Sequence, residues 1–584
     1  MKKLLAIAIL LAGTLVMVSC GDDDPVQILP GAISITGIPA TATIGFDGTL
    51  AVTAALTAED GLATFTLSVD GGAASDILPA ASVGQTTASV DISATADELG
   101  GVGVHTLVFV VTDADGDSED FTHVLTISEE PVTPTVDVFA SSDGVGGGAA
   151  NVTWSADNIY ILRGFIFVNS GQTLTIEAGT VIKGQPGQGA GASALIVAQG
   201  GRIVADGTAA APIIFTALAD DLEGSVADDA QGLWGGLIIL GEGPNNADAT
   251  ANILSIEGIP TDEPRGQHGS ATPNLMDDSG VLDYVSVRHG GSLLGSDNEI
   301  NGITLGSVGA GTSITNVEVV ANLDDGIEFF GGNVNVTNAI VSLCGDDPLD
   351  IDNGYSGIIQ NAISWQSGDN VQSSDPTTGE WDGATGDDEG NGTDPADAKI
   401  SNSTFVFTTG AGTLTQGIHM RDNFRGSVYN SIFQGAVATS AGIVIESRSG
   451  RSGNTSFQGF VDGDMEIENN LFDGYNVGGA DATTIADIFT TGNDADDNGG
   501  AAGADGAELD ALAAAGDNTV GTPGFGTGAA RFTPTSSDDI TSVETTLPTG
   551  VTAQAFKGAI APGTADGDTF FANWTLAFDI LSGN

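Results

Sequence analysis

The chain has 584 residues, of which 77 are acidic and only 14 are Lys or Arg, so its formal net charge is −63. A field of this sign repels nucleic acid and anionic lipid headgroups, which excludes both as partners, and it attracts divalent cations. The 41% of hydrophobic residues argue against a disordered chain, and the 85 glycines indicate a turn-rich, mostly β architecture.

Residues 1–19 have the pattern of a signal peptide, since a basic start precedes an apolar run that is too short to span a bilayer. The phrase that ends at Cys20 resembles a lipobox, where cleavage occurs before a lipid-modified cysteine. Residues 20–30 form an acidic tether, and Asp22–Asp24 resemble the surface-export signal of Bacteroidota lipoproteins. We therefore expect an outer-membrane protein exposed at the cell surface, with the lipid on Cys20 as its only membrane attachment. The alternative is a charged tether that faces the periplasm.

Residues 31–130 contain alternating apolar segments separated by turn clusters, which predicts an immunoglobulin-like or cadherin-like β-sandwich. One turn carries Asp113, Asp115 and Asp117, whose closely spaced carboxylates suit calcium. A plain acidic hairpin turn explains the same residues equally well. Residues 131–136 then form a stiff, proline-containing linker.

From residue 137 to residue 584, short apolar strands and Gly/Asn/Asp turns recur. Asn316-Val317-Glu318-Val319 is followed 22 residues later by Asn338-Ala339-Ile340-Val341, and then by Asn361-Ala362-Ile363-Ser364. A fixed period with strand-length units predicts a right-handed parallel β-helix. Residues 372–398 and 480–522 interrupt this pattern and are interpreted as surface loops, the second with a short helix at 507–515.

Several phrases in residues 137–584 resemble a family of surface and secreted β-helix proteins of the Bacteroidota, often labelled multidrug transporters. These phrases are 172–184, 232–241, 256–260, 284–291, 324–332 and 556–562. The resemblance implies the fold and assigns no activity, because the family has no agreed function. The transporter label disagrees with this sequence, in which no stretch after the signal peptide is apolar enough for a membrane span.

Side chains alternate in a strand, so the residues between aligned inward positions must point outward together. The inward pairs are Ile327/Phe329, Leu349/Ile351, Ile418/Met420 and Ile443/Ile445. The outward residues are then Glu328, Phe330, Asp350, Asp352, His419, Arg421 and Glu446. Equivalent positions lie about 4.8 Å apart from coil to coil, so carboxylates should stand beside a His and an Arg.

Three interpretations of this surface compete. In an enzyme, Asp350, Asp352, His419, Arg421 and Glu446 are the catalytic candidates, with paired carboxyls or a calcium-assisted Arg base acting on a polysaccharide. In a binding protein, the ligand-contacting candidates are Glu328, Phe330, Arg288 and His289, with Tyr355 and Trp365 as further aromatic contacts. In a purely structural arrangement, Asp350 and Asp352 pair with Arg421 and contribute about 0–1 kcal/mol each.

A second group of carboxylates recurs at the turns, comprising Asp324, Asp325, Asp346, Asp347 and Asp369. Like charges stacked this closely repel unless a cation or a donor shields them, and calcium suits carboxylate oxygens best. The alternative is that each Asp caps its own turn through backbone N–H groups.

Familiar catalytic signatures such as a P-loop, a zinc-binding H-E-x-x-H and a G-x-S-x-G elbow are missing. Apart from Cys20, the chain contains one cysteine, Cys344, which we expect to be a small buried hydrophobe. The sequence favours a surface lipoprotein that binds a glycan, another surface protein or calcium. The alternative is a carbohydrate-active enzyme, either a polysaccharide lyase or a glycoside hydrolase.

Overall fold

The computed structural model describes residues 32–583, apart from 130–132, 248–251, 296–297, 373–376, 385–394, 409–415, 436–440, 448–454, 478–479 and 493–505. The chain divides into two compact units, with the boundary between Val132 and Thr133. The predicted signal peptide, Cys20 and the acidic tether lie outside the described residues. Among the helices that are described, none is long and apolar enough to cross a membrane.

The first unit is a β-sandwich of two sheets around one apolar core. The first sheet has the strands Ile33–Thr36, Thr49–Ala58 and Thr87–Thr95. The second sheet has, in spatial order, Thr41–Ile44, Ser118–Ile127, Gly103–Asp113, Leu62–Val69 and Ser75–Asp76. Every pairing is antiparallel except that of the two strands Thr41–Ile44 and Ser118–Ile127. Alternate residues of both sheets point into the core, as the apolar alternation predicts.

The second unit is a right-handed parallel β-helix, as predicted. A ten-stranded sheet, here called the third face, consists of Phe165–Val168, Ala194–Val197, Leu237–Leu240, Ile303–Gly306, Ile327–Phe330, Leu349–Asp352, Gly379–Asp382, Gln416–Arg421, Ala441–Glu446 and Phe489–Gly492. A nineteen-stranded sheet, here called the bent sheet, forms the rest of each coil. Its strands are Thr135–Phe139, Asn151–Trp154, Ile159–Arg163, Thr173–Ile176, Val181–Gly184, Arg202–Asp206, Ile213–Ala217, Gly280–Arg288, Ser313–Val320, Asn335–Ser342, Ile358–Gln360, Ile363–Ser367, Lys399–Ser401, Thr404–Thr408, Ser427–Tyr429, Ile432–Gln434, Ile467–Glu468, Leu471–Asp473 and Thr519–Val520.

An asparagine ladder lies where the bent sheet changes direction. Asn316, Asn338 and Asn361 have φ values of 48°, 59° and 59°, a region that asparagine tolerates better than most residues. The Nδ2 of Asn338 donates to Asn316 Oδ1 at 3.0 Å, and the Nδ2 of Asn361 donates to Asn338 Oδ1 at 3.1 Å. These are the residues that mark the period in the sequence, so the repeat corresponds to one coil.

The interior of the β-helix is a continuous apolar stack. Phe405, Phe433 and Phe472 lie in consecutive coils, with neighbouring ring centroids 4.8 and 4.9 Å apart. The helices Ser456–Asp462 and Gly506–Ala515 add apolar side chains to this core near its last coils. The second helix corresponds to the one predicted at 507–515.

Three predicted boundaries differ from the structure. The first coil strand, Thr135–Phe139, already begins within the predicted linker. The predicted loop 372–398 contains the coil strand Gly379–Asp382, and the predicted loop 480–522 contains Phe489–Gly492 and Thr519–Val520. Acidic, Gly-rich neighbours conceal these short strands in the sequence.

The prediction that the β-helix extends to residue 584 is wrong. Residues 521–583, here called the strap, follow the last coil strand, Thr519–Val520. They include the helices Asp538–Thr541 and Leu576–Ser582. The strap packs Phe571 and Phe578 on outward apolar side chains of the bent sheet, including Ile340 and Ile363. Those outward side chains need a cover, and the strap supplies it in place of a further coil.

Two further segments, here called the cover loops, comprise residues 241–279 and 289–302. They carry the short antiparallel strand pairs Leu254–Ser255 with Gln267–His268 and Leu293–Gly295 with Asn298–Glu299. Their residues Ile256, Ile259 and Ile300 pack on Ile196 and Ile238, which point outward from the third face. The cover loops therefore shield the N-terminal coils of this face.

Candidate functional site

The outward side of the third face carries two columns of side chains. Glu328 lies opposite Asp350, and Phe330 lies opposite Asp352. The inward neighbours of these residues are buried in the core, so the predicted alternation holds here. We call the set Glu328, Asp350, Asp352, Glu380, Asp382, His419, Arg421 and Glu446 the acidic stripe.

Glu380 and Asp382 belong to this stripe and are missing from the sequence prediction. Ile351 lies opposite Trp381, while Glu380 lies opposite His419 and Asp382 lies opposite Arg421. One whole coil therefore separates Asp350 and Asp352 from His419 and Arg421. A signal was present, because Gly379-Glu380-Trp381-Asp382 repeats the acid–apolar–acid pattern of residues 350–352.

Arg421 is engaged by two carboxylates of the stripe. Its Nε lies 2.6 Å from Asp382 Oδ1, and its Nη2 lies 3.0 Å from Asp382 Oδ2. The same Nη2 lies 3.0 Å from Glu380 Oε2. Asp382 and Glu380, rather than the predicted Asp350 and Asp352, therefore neutralise the guanidinium of Arg421.

His419 and Glu446 are more enclosed than predicted. The side chain of His419 is 6% exposed, and its Nδ1 lies 3.6 Å from Glu380 Oε1. Glu446 is completely buried, and its Oε2 accepts a 2.6 Å hydrogen bond from the backbone N–H of Asp422. Glu446 therefore stabilises the turn at Asp422. The partly exposed groups of the stripe are its three aspartates, Glu380 and Arg421.

Burial and mutual repulsion change the acidity of the stripe. Burial, and then the charge of Asp382, raise the pKa of Asp352 to about 8. Burial raises the pKa of Asp382 to about 6, while the neighbouring Arg421 guanidinium acts to lower it. Burial and the charges of Asp382 and Glu380 raise the pKa of Asp350 well above its usual range. At neutral pH the stripe thus holds both protonated and ionised carboxyl groups.

The predicted turn acids separate into two groups. Asp324, Asp325 and Asp346 lie close together, with carboxylate oxygens within 4.8 Å of one another. Asp347 instead accepts hydrogen bonds from the N–H and the hydroxyl of Thr377, both at 2.7 Å. Asp369 is exposed and is not part of the acidic groups found among the described residues.

The other predicted ligand-contacting residues lie elsewhere. Arg288 ends a strand of the bent sheet, where it is buried 3.8 Å from Glu318, and His289 Nδ1 lies 2.7 Å from the carbonyl oxygen of Ala230. The aromatic residues Phe330, Tyr355 and Trp365 are all buried. All five residues are buried, so none of them offers an open surface to a glycan.

The acidic turn of the sandwich has the alternative, self-capped form. Asp113 Oδ1 accepts hydrogen bonds from the backbone N–H groups of Asp115, at 3.1 Å, and Asp117, at 2.8 Å. These two hydrogen bonds are those expected of a plain acidic hairpin turn, whereas Asp113 Oδ2 has no hydrogen-bond partner among the described residues. Cys344 is buried as expected, and burial raises the pKa of its thiol.

The chain matches the family model described as a pectate-lyase-like beta helix domain over residues 146–514, which is more than half of its length. It belongs to the pectate-lyase-like β-helix family. The matched range includes the acidic stripe and the cover loops of this family member. A search of the curated proteins found no match.

Solved structures with similarity to this chain include the following three. The family 28 exopolygalacturonase of Yersinia enterocolitica is 11% identical and covers 76% of this chain and 92% of its own, with a TM-score of 0.17. Pectate lyase Pel3 of Pectobacterium carotovorum is 8% identical and covers 81% and 93%, with a TM-score of 0.20. Murine CRIg is 12% identical and covers 17% of this chain and 99% of its own, with a TM-score of 0.12.

Proposed function

We propose that this pectate-lyase-like β-helix is a polysaccharide-cleaving enzyme in which Asp352 and Asp382 are the paired carboxyl groups of a glycoside hydrolase. The register carries the proposal: Ile351 lies opposite Trp381, so the residues that follow them, Asp352 and Asp382, are neighbours in consecutive coils. Neighbouring strands lie about 4.8 Å apart. Since the two aspartates stand one strand apart, their carboxyl groups can approach to the roughly 5–5.5 Å that retaining glycosidases use.

The acidities of the two groups support different roles for them. With a pKa of about 8, Asp352 is protonated at neutral pH and can act as the general acid. With a pKa of about 6, Asp382 is ionised at neutral pH, and Arg421 contributes to keeping it so. Two carboxyls whose environments separate their pKa values in this way are typical of an acid–nucleophile pair.

These roles define a two-step reaction. Asp352 gives its proton to the glycosidic oxygen as the bond between that oxygen and the anomeric carbon breaks, and the Asp382 carboxylate bonds to the same carbon. Water then attacks this carbon and releases Asp382, while the Asp352 carboxylate takes the proton of the water. Family membership supports a polysaccharide as the substrate class.

We also propose that the enzyme acts on an extracellular glycan at the outer face of the outer membrane, anchored through Cys20. The lipobox-like phrase before Cys20 and the acidic residues after it support this location. Cys20→Ala should move the full chain out of the membrane fraction. A variant that stays membrane-bound after a salt wash would contradict the anchor.

Cleavage is tested by incubating the chain with a panel of neutral and acidic polysaccharides, including polygalacturonate. Release of reducing ends without an unsaturated product identifies a hydrolase, whereas an unsaturated product identifies a lyase and overturns the roles given above. Asp352→Asn and Asp382→Asn should each lower kcat by about 10²–10⁴-fold on the substrate found. Asp369→Asn, an exposed turn acid outside the stripe, is the matched control and should leave kcat unchanged.

Glycan capture without cleavage is the outcome that would replace this proposal. It would appear as saturable binding of a polysaccharide that yields no product of either kind at any pH between 4 and 9. In that case, Asp352→Asn and Asp382→Asn would change affinity alone.

A further inference from the structure

Seven carboxylates from four separate segments form one cluster, which shares Glu328 and Asp350 with the acidic stripe. They fall into three overlapping groups, in each of which the oxygen atoms lie within 4.8 Å of one another. The groups are Glu257, Glu299 and Asp324; Asp324, Asp325 and Asp346; and Asp325, Glu328 and Asp350. Asp324 and Asp325 each belong to two groups, so the three groups are continuous.

Apolar packing brings the two cover-loop members of the cluster into place. Ile256 and Ile300, which pack together on the third face, adjoin Glu257 and Glu299 in the sequence. The backbone N–H of Glu299 donates to Glu257 Oε1 at 2.9 Å, which holds the Glu257 carboxylate beside the second cover loop. The cover loops therefore hold two acids beside Asp324 at the energetic expense of electrostatic repulsion.

The remaining members come from consecutive coils. Asp324 and Asp325 lie in the turn before Ile327–Phe330, and Asp346 lies in the equivalent turn one coil later. The backbone N–H of Asp347 donates to Asp325 Oδ1 at 2.9 Å, which links these two turns. The period of the β-helix thus stacks the turn acids, as the sequence predicts.

A buried amide supplies an independent indication that a ligand belongs here. Asn301 is only 1% exposed, and its Nδ2 donates to Glu328, a member of the cluster. Among the described residues, no hydrogen-bond donor reaches Asn301 Oδ1, nor does one reach the buried Asp350 Oδ1. The amide oxygen of Asn301 is an acceptor only, and buried oxygens of this kind are ordinarily paired. A donor or a cation is the partner that such oxygens accept.

We propose that this cluster is a calcium site that fastens the cover loops to the turns of the β-helix. Calcium takes six to eight oxygen ligands in flexible geometry, which suits carboxylates and an amide oxygen drawn from several segments. Magnesium demands a tighter octahedron and keeps several waters, so it fits a set of this size less well. The site is separate from the Asp352–Asp382 pair and does not depend on glycan cleavage.

The test compares calcium responses of the full chain after removal of metal with a chelator. Isothermal titration with CaCl2 should show a tight site in the original chain, and calcium should raise Tm relative to the chelated chain. Asp324→Asn, which alters two of the three groups, should weaken the tight site at least about tenfold and abolish most of the rise in Tm. Asp369→Asn and Asp352→Asn, which leave all seven carboxylates in place, should keep both responses.

The sign of the Asp324→Asn effect separates calcium binding from a proton-shared acid cluster. If the cluster binds no cation, Asp324→Asn only removes repulsion between carboxylates and should raise Tm both in calcium and in chelator. If the cluster binds calcium, Asp324→Asn should lower Tm in the presence of calcium. Glu299→Gln provides the same comparison from the cover loop if Asp324→Asn does not fold. A Tm of the original chain that calcium leaves unchanged, or a tight site that survives both substitutions, overturns the proposal.

Discussion

The two ends of the third face share one pleat and one register but differ in what they turn outward. In the N-terminal coils the outward column holds Ile196 and Ile238, and both side chains are fully buried under the cover loops. Two coils further on, the same column holds Glu328 and Asp350. Thr304, which lies between Ile238 and Glu328, marks the transition from apolar to acidic residues.

The position of a residue in the coil therefore determines only whether its side chain points inward or outward. The segment that covers the outward side determines whether apolar or acidic side chains are found there. Where Ile256 and Ile259 supply an apolar cover, outward residues of the sheet behave as a second core. At the margin of that cover, the loops contribute Glu257 and Glu299, and the column becomes acidic. The apolar end stabilises the molecule, and the acidic end concentrates groups whose pKa values are suited to chemistry.

Placing a charge in the apolar end should have the largest effect on stability. Ile238→Asp buries a carboxylate in an apolar environment beneath Ile256 and Ile259. We expect the free energy of unfolding to fall by about 3–5 kcal/mol. Ile238→Val, the control, should cost about 1 kcal/mol, because it removes one methylene from the same position.

Urea denaturation measures both variants. Asp350→Asn provides the corresponding change in the acidic end, where it should alter stability by no more than about 1 kcal/mol. Equal losses for Ile238→Asp and Asp350→Asn would show that the two ends do not differ in the way described.

The pH dependence of stability should be an intermediate effect, to which the carboxyl groups of the acidic end contribute. Asp352 has a folded pKa of about 8, above its ordinary value near 3.8, so between these two pH values the folded chain holds a proton that the unfolded chain has released. The unfolded state binds fewer protons there, and stability must fall as pH rises from about 4 to about 8. Asp382 has a folded pKa of about 6, so the loss of stability that it contributes is complete near pH 6.

In the presence of a chelator, we therefore expect the free energy of unfolding to be lower at pH 8 than at pH 5 by on the order of 1 kcal/mol or more. Tm should fall accordingly. Asp352→Asn should reduce this slope, since an amide does not titrate. Thermal melts across the pH range, with Asp369→Asn as the control, measure the difference. A Tm that rises from pH 5 to pH 8 in chelator would mean that the stripe carboxyls are not protonated in the folded chain.

The sequence was sufficient to predict the scaffold because the scaffold is periodic. The spacing of Asn316 and Asn338 equals one coil, and the alternation around Ile327 and Phe329 assigns the inward side correctly. Glu380 and Asp382 were missed because their coil is flanked by long acidic segments that disguise its strand. The same local pattern as in residues 350–352 could have revealed it.

The cover loops and the strap could not be predicted in the same way. Neither has a period, so nothing in the sequence indicates that Glu257 and Glu299 meet Asp324, or that residues after Val520 cross the bent sheet. The sequence likewise does not indicate that Arg288 and His289 are buried, or that Glu446 Oε2 accepts from the backbone N–H of Asp422. Residues chosen as accessible ligand contacts from alternation alone were therefore misjudged where another segment covers them.

The smallest expected effect concerns the other acidic turn, which offers a direct contrast with the acidic end of the β-helix. Asp113 Oδ1 caps its own turn by accepting from the backbone N–H groups of Asp115 and Asp117, and an asparagine in its place retains an oxygen that can accept both. Asp113→Asn should therefore change the free energy of unfolding by no more than about 0.5 kcal/mol. Asp113→Ala, which removes the acceptor, should cost about 1 kcal/mol. The rise in Tm caused by calcium should be the same in Asp113→Asn as in the original chain, because Asp113 Oδ1 is already used by two backbone N–H groups of its own turn. A calcium response reduced by Asp113→Asn to the level of Asp324→Asn would place the dominant site in the sandwich and remove the contrast between the two turns.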